Sequence, residues 1–415
     1  MTTNPSIFNQ IRDVIDDIND EVDDEDVDDP DPVDVIKRLT KEGGGIEVIG
    51  DSFEPIHEHV DEVRNRASDQ YSETYGIDGS TTKDLTFNNG LIVSIAVAAA
   101  SVASSDKVQS ASKRSTICVT TYFDDKEIDV DPESDDENQM IFQQFPRVTE
   151  LTSDLPQWIN DTSRTTAEGE HFEWVADDIN GPLFIDGPIM PPSTLIWAAY
   201  DNAGYPESTP MIDWPSKIYD ILQSYINGVE KCILADNPVF GVQKSTSATR
   251  VLDALVEKDP DLTRREMPWT NDGVLFNSAL QDNSDQTMIS YTPWYIEHEF
   301  EVGGRPGRVT PLKNYDQIEL ELGTYDDYKR AFFFAKPPTQ TTVYRIGVPM
   351  MQLREWDEDK LRDIALNEMV KQFREPLPVV VADKKVKIPK RMRDEFRSLI
   401  TGKAHKGINE QRNYE

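Results

Sequence analysis

Pro182-Leu183-Phe184-Ile185-Asp186-Gly187-Pro188-Ile189 carries four apolar residues straight into a carboxylate, and a Gly-Pro step then ends the run. An apolar run of this length between turn residues reads as a buried strand. The acid at its end would then sit at a sheet edge, held by a rigid scaffold. Tyr75-Gly76-Ile77-Asp78-Gly79-Ser80 repeats the pattern upstream. Two strand-end Asp-Gly steps point to two carboxylates converging on one metal site. Taken singly, each also reads as an ordinary Asp-Gly turn.

The chain has 415 residues, with 42 Lys+Arg against 77 Asp+Glu, a net charge of −35. Hydrophobic residues make up 37%, so a large core is available and global disorder is excluded. Acid dispersed along the whole chain resembles proteins of salt-loving microbes, whose surfaces stay solvated when salt screens charge. An acidic mimic of nucleic acid would gather its charge in one tract. The balance also argues against simple electrostatic binding to DNA, which would need a local basic patch or a metal bridge. Cys118 and Cys232 lie far apart in apolar settings and read as buried thiols of a reducing compartment. Met1 to Ile7 lacks the pattern of a signal peptide. The longest apolar run, Leu91–Ala103, is too short and too Ala-rich to span a bilayer. A cytoplasmic protein with no membrane partner is expected.

Outward from the opening stretch, residues 163–179 have helical spacing and carry Glu168, Glu170 and Glu173 in their first half. A carboxylate-bearing helix feeding a carboxylate-ending strand lets both acids reach one point, although glutamates also simply favour a helix N-terminus. Residues 213–233 form the clearest helix, followed by a buried strand at 238–242 and then Lys244. Leu91–Ala103 is expected as a helix of small residues packed on a sheet. Ser115–Phe123 and Thr341–Val348 are expected as strands, and Leu377–Ala382 as a short strand ending at Asp383. Residues 53–71 read as helix, which puts His57 and His59 on different faces, as surface histidines. Strand–helix alternation gives a mixed α/β sheet. Residues 6–22 space their apolar side chains as one face of an acidic helix, and 23–34 reads as a solvated linker. Lys384, Lys385, Lys387, Lys390, Arg391 and Arg393 form the one dense basic cluster, read equally as a DNA-backbone contact or a basic surface helix. Gly303–Arg308 reads as a basic hairpin loop.

Several segments, in order, resemble the NurA nucleases of archaeal DNA end resection. They are Tyr75–Ser80 continuing through Thr86-Phe87-Asn88-Asn89-Gly90-Leu91, Ala167-Glu168-Gly169-Glu170-His171 followed by Leu183–Pro188, Val239–Ser245, Val343–Pro349 and Pro376–Asp383. The series spans roughly residues 70–400, and its first segment looks closest to versions from salt-loving archaea. The resemblance implies an RNase H-like mixed sheet flanked by helices, here with an acidic helical N-terminal extension. Together with the acidic, amphipathic start of the chain, three parts are expected: an acidic helical extension (1–65), a NurA-like nuclease domain (66–402) and a polar tail (403–415). The resemblance implies a 5′–3′ DNA exonuclease dependent on Mn2+ or Mg2+, and a homodimer docked on a HerA-type hexameric ATPase. By position it makes Asp78 and Asp186 metal ligands, with Glu170 the best-spaced third and Glu168 its close alternative. Two cations about 3.5–4 Å apart would activate water and stabilise the leaving oxygen. Lys244 would meet the phosphate, and Lys384, Lys385 and Lys387 the DNA backbone. Glu375 and Asp383 stand where the family carries Tyr and His, and Gly347 where Arg-Ile-Glu is familiar. Asp383 still suits a hard cation but cannot serve as a neutral imidazole base. These departures leave open a non-catalytic subunit that dimerises and docks on the ATPase.

Overall fold

In the computed structural model, the opening stretch forms a strand near the middle of a mixed sheet of 14 strands among the described residues. The structure describes residues 30–403 outside 41–44, 51–52, 68–70, 83–84, 88, 105–107, 110–112, 149–152, 192–193, 196–214, 245–247, 282–286, 299, 302–307 and 310–316, together with Arg12, Val14 and Ile15. The elements that build the site are β1 (Glu73–Thr81), β2 (Ile92–Ser104), β3 (Ser115–Tyr122), β4 (Asn138–Gln144), α1 (Leu155–Val175), β5 (Leu183–Asp186), α2 (Pro215–Leu234), β6 (Val239–Lys244), β7 (Arg330–Lys336), β8 (Tyr344–Pro349) and α3 (Leu377–Val386).

Strands β1, β2 and β3 form an antiparallel meander. β5 then pairs parallel to β1, and β6 parallel to β5. The order β3-β2-β1-β5-β6, three antiparallel strands followed by two parallel ones, is RNase H-like. Beyond it, β8 and β7 extend the sheet antiparallel on one side, and β4 pairs parallel to β3 on the other. α1 lays Thr162, Ser163, Thr166 and Ala167 on the sheet. These short side chains meet Ala96, Ala98 and Cys118, so helix and sheet approach closely. α2 packs behind it through the apolar face that the spacing predicts, with Ile218, Leu222, Tyr225, Ile226 and Val229 buried. Cys118 and Cys232 are both free and buried.

Three expected elements differ. Leu91–Ala103, expected as helix, is strand β2. Its residues are buried along nearly the whole length because α1 and α3 pack against it as well as against β1. A strand buried on both faces loses the alternation that marks a strand in sequence. Leu377–Ala382, expected as strand, is the start of helix α3. Its valines favour a strand, but Pro378 suits a first helical turn, and tertiary packing outweighs propensity. That packing is close: a Cβ at Gly76 of β1 would lie 2.4 Å from the Pro378 carbonyl carbon, so only glycine lets α3 seat there. Residues 53–71 divide into a strand, Ile56–His59, and a helix, Val60–Ala67. His57 hydrogen-bonds Ser290 across that strand pair at 2.7 Å.

The sheet also takes in residues on the N-terminal side of the expected boundary at 65. Ile46–Val48 pairs with Tyr295–Glu297, and Val35, Ile36, Leu39 and Phe53 share a second core with Leu252, Phe276 and Phe334. Of the helix expected over 6–22, Arg12, Val14 and Ile15 are helical and the rest lies outside the described residues. Around the basic loop at 303–308, Phe300–Glu301 pairs with Arg308–Val309, while 302–307 lies outside them. Among the described residues no helix is long and apolar enough to cross a membrane.

Candidate metal centre

Register places the two aspartates side by side. Ile77 pairs with Ile185 in the parallel β1–β5 ladder, so Asp78 and Asp186, each one residue further, are lateral neighbours on one face. On β6, Val242 pairs with Asp186, and Lys244 stands two residues beyond on the same face. That face of β1 is the α3 face: Ser80, two residues after Asp78, donates to the Val386 carbonyl. α1 covers the opposite face, and Glu168 reaches the aspartates from there. Gly79 makes this possible, because a Cβ at that position would lie 2.5 Å from Glu168 Cγ and 2.6 Å from its Oε1. The glycine is a notch that admits the glutamate beside Asp78.

The cluster is crowded with acid. Burial, then the charges of Asp186 and Glu168, push the Asp78 carboxyl up to about 8, and Asp383 adds to the same repulsion. Burial lifts Glu168 to about 7 against the pull of Arg164 and a hydrogen bond from Tyr225. Tyr225 donates its hydroxyl to Glu168 Oε2 at 2.9 Å. Glu168 Oε1 is buried and has no hydrogen-bond partner, with Arg164 Nε 3.9 Å away. Asp186 Oδ2 accepts from Lys244 Nζ at 2.8 Å. This ion pair is part-exposed and contributes on the order of 1 kcal/mol or less. Lys244 Nζ also lies 3.9 Å from Glu375 Oε1.

Glu170 is elsewhere. It projects toward β4, where Gln139 donates to it at 3.4 Å, and toward Lys217. The structure therefore brings Glu168, rather than the better-spaced Glu170, to Asp78 and Asp186. Asp383, on α3, is exposed and contributes to the field at Asp78. Glu375 is buried just before α3. Burial would raise its carboxyl, but hydrogen bonds from Arg374 and Tyr344 and the charge of Lys244 hold it down at about 2. Within the basic cluster, Lys384 and Lys387 are exposed at the rim, whereas Lys385 turns inward and donates to the Ala100 carbonyl at 3.2 Å.

Tyr225, Tyr344 and Arg164 touch the site acids without having been singled out from sequence. Tyr225 reads as core because it falls on the apolar stripe of α2. Tyr344 lies inside the Val343–Pro349 segment, but only the fold brings its hydroxyl to Glu375.

Among the described residues no three His, Cys, Asp or Glu side chains are already drawn around one point. Each site carboxylate has another partner instead: Lys244 on Asp186, Tyr225 on Glu168, and the Gly79 N–H on Asp78 at 2.7 Å. The donor set nevertheless fits a divalent cation. It consists of hard carboxylate oxygens, one of them buried and unpartnered, in a repulsive cluster that positive charge would relieve.

No curated protein sequence matches the chain. Among solved structures, the NurA nuclease from Sulfolobus solfataricus is 12% identical with a TM-score of 0.50, over 97% of this chain and 98% of that one. A crystal structure of NurA bound to dAMP and manganese is 11% identical with a TM-score of 0.42, over 98% of each chain. At such identities the likeness to the Sulfolobus protein speaks to the fold alone. The profile of the NurA domain matches residues 72–388, which include every element of the acidic cluster, and on that match the chain belongs to the NurA family.

Proposed function

We propose that this protein is a divalent-metal-dependent deoxyribonuclease whose centre is Asp78, Asp186 and Glu168. The observation that carries the reading is the mutual repulsion of three neighbouring carboxylates from β1, β5 and α1, one with a buried, unpartnered oxygen, which a bound cation would relieve. Membership of the NurA family supports it, as do the manganese and dAMP named for NurA structures. Asp78, Asp186 and Glu168 would hold Mn2+ or Mg2+, with exposed Asp383 at the margin. When bound, the cation would polarise the scissile phosphate and make an attacking water acidic. Glu168 is fixed for this task by Tyr225 and by the Gly79 notch. Lys244 would balance phosphate charge, and Lys384 and Lys387 would hold the DNA backbone at the rim. Lys385, which bonds the Ala100 carbonyl, is better placed to brace α3 on the sheet.

The family resemblance extends the proposal to 5′–3′ trimming of DNA ends in the cytoplasm, as a homodimer working with a HerA-type ATPase. The test is digestion of end-labelled linear DNA in high salt with Mn2+. Asp186→Ala should abolish cleavage while the protein melts as before; full retained activity would refute the assignment. The second reading, a non-catalytic subunit, is favoured by Lys244 seated on Asp186 and by Glu375 and Asp383 in place of Tyr and His. Metal-independent ATPase binding with no cleavage by the wild type would select it.

A further inference from the structure

We infer that Glu375 is a positioning residue: it draws Lys244 away from Asp186 so that the carboxylate is released to a divalent cation. This rests on the metal-centre reading above. Lys244 and Tyr344 are directly opposed in the β6–β8 ladder. Tyr344 donates its hydroxyl to Glu375 Oε2 at 3.0 Å, and Arg374 Nε donates to the same oxygen at 3.0 Å. Arg374 also bonds Oε1. Glu375 is therefore buried, ionised and pinned from two sides. Lys244 is the mobile member, about a third exposed on a four-carbon stem, with its ammonium 2.8 Å from Asp186 and 3.9 Å from Glu375.

An ammonium shift of 3.9 − 2.8 = 1.1 Å along the line to Glu375 Oε1 brings Lys244 to hydrogen-bond distance there, the first part of its release from Asp186. Without Glu375, displaced Lys244 would keep its positive charge beside the incoming cation with no fixed anion to receive it. With Glu375, the ammonium stays at the rim of the centre, where a phosphate oxygen would lie. The acid at position 375 thus offers Lys244 a full negative charge, where a neutral phenol would offer only a hydrogen-bond acceptor.

The experiment is Mn2+ titration of the full chain by calorimetry at fixed ionic strength. It compares wild type, Glu375→Gln, Lys244→Met and the double variant, with melting curves to confirm folding. Glu375→Gln should weaken Mn2+ binding about tenfold, the scale of coupling within one ion-pair network. Lys244→Met should tighten it, and Glu375→Gln should then have little further effect in the Lys244→Met background. Equal weakening in both backgrounds, or none in either, overturns the inference, since a general field effect or a purely structural anchor would behave so. Tyr344→Phe, which loosens Glu375 without changing charge, should weaken binding only while Lys244 is present, and it separates the same outcomes if Glu375→Gln fails to fold. If wild type binds no Mn2+, or Asp186→Asn binds it as tightly as wild type, the metal-centre reading itself has failed, and the inference with it. If Asp186→Asn loses binding while Glu375→Gln does not, only the inference has failed.

Discussion

Gly79→Ala should separate activity from folding more sharply than removing a carboxylate. The new Cβ would lie 2.5 Å from Glu168 Cγ, whereas ordinary contact begins at 3.4 Å, so about 3.4 − 2.5 = 0.9 Å must be found. The backbone of β1 is held on both sides by β2 and β5, so Glu168 is the group that moves. Its Cγ is not the free end of the side chain, and the carboxylate must travel with it. A misplacement of about 1 Å at a reacting centre costs on the order of 100-fold in rate. Overpacking at one buried site costs about 1–3 kcal/mol of stability. In a chain of this size that is a fall in Tm of a few degrees. The assay is Mn2+-dependent digestion of labelled linear DNA, with melting followed in parallel. In a Glu168→Gln background, Gly79→Ala should remove little more activity, because the group it displaces is already impaired. Full activity in Gly79→Ala with a normal melt would refute the notch, and with it the placement of Glu168 beside Asp78.

Four further outcomes are expected. Without divalent cation, stability should fall as pH rises from about 5 to 8: the Asp78 and Glu168 pKa values are raised in the fold, to about 8 and about 7, so the native state holds protons that the unfolded chain has released. Melting curves should show this slope, Mn2+ should remove it, and Asp78→Asn should flatten it; an unchanged slope in Asp78→Asn contradicts the assignment. Glu297→Ala should cost about 3–5 kcal/mol in a denaturant titration, because Glu297 is fully buried among Arg250, Arg330 and Arg345 and its loss leaves like charges facing one another. If each makes the proposed phosphate contact, Lys384→Glu with Lys387→Glu should weaken DNA binding and lower the salt slope by about 2 with kcat kept; an unchanged slope would refute the contact. Lys385→Met should leave that slope unchanged, because its ammonium already serves the Ala100 carbonyl; a drop equal to that of the rim pair would place Lys385 on the DNA.

The strand Leu183–Asp186 was legible because an apolar run ends at an Asp-Gly step, a local signal, whereas the strand through Asp78 continues past its Asp-Gly step to Thr81. The choice between Glu168 and Glu170 was not legible. Two residues apart on one helix, they project to different faces, and only the fold shows that the face of Glu168 meets the space left by Gly79, a contact 89 residues distant in sequence (168 − 79). Strand β2 read as helix because its alanines and valines are buried from two sides. α3 read as strand because a run of three valines outweighs one proline until the notch at Gly76 is known. Glu375 looked like a departure from a family pattern. Only the fold joins it to Lys244 and Tyr344, residues from two other strands.

Every role proposed for these residues depends on Asp78, Asp186 and Glu168 forming one metal centre. Anomalous diffraction from crystals soaked in Mn2+ tests this most directly. Manganese is expected within about 2.1 Å of oxygens from all three carboxylates, the distance of a hard octahedral cation, with Lys244 turned from Asp186 toward Glu375. Manganese at Glu170, or none at these acids with Lys244 still on Asp186, would contradict it.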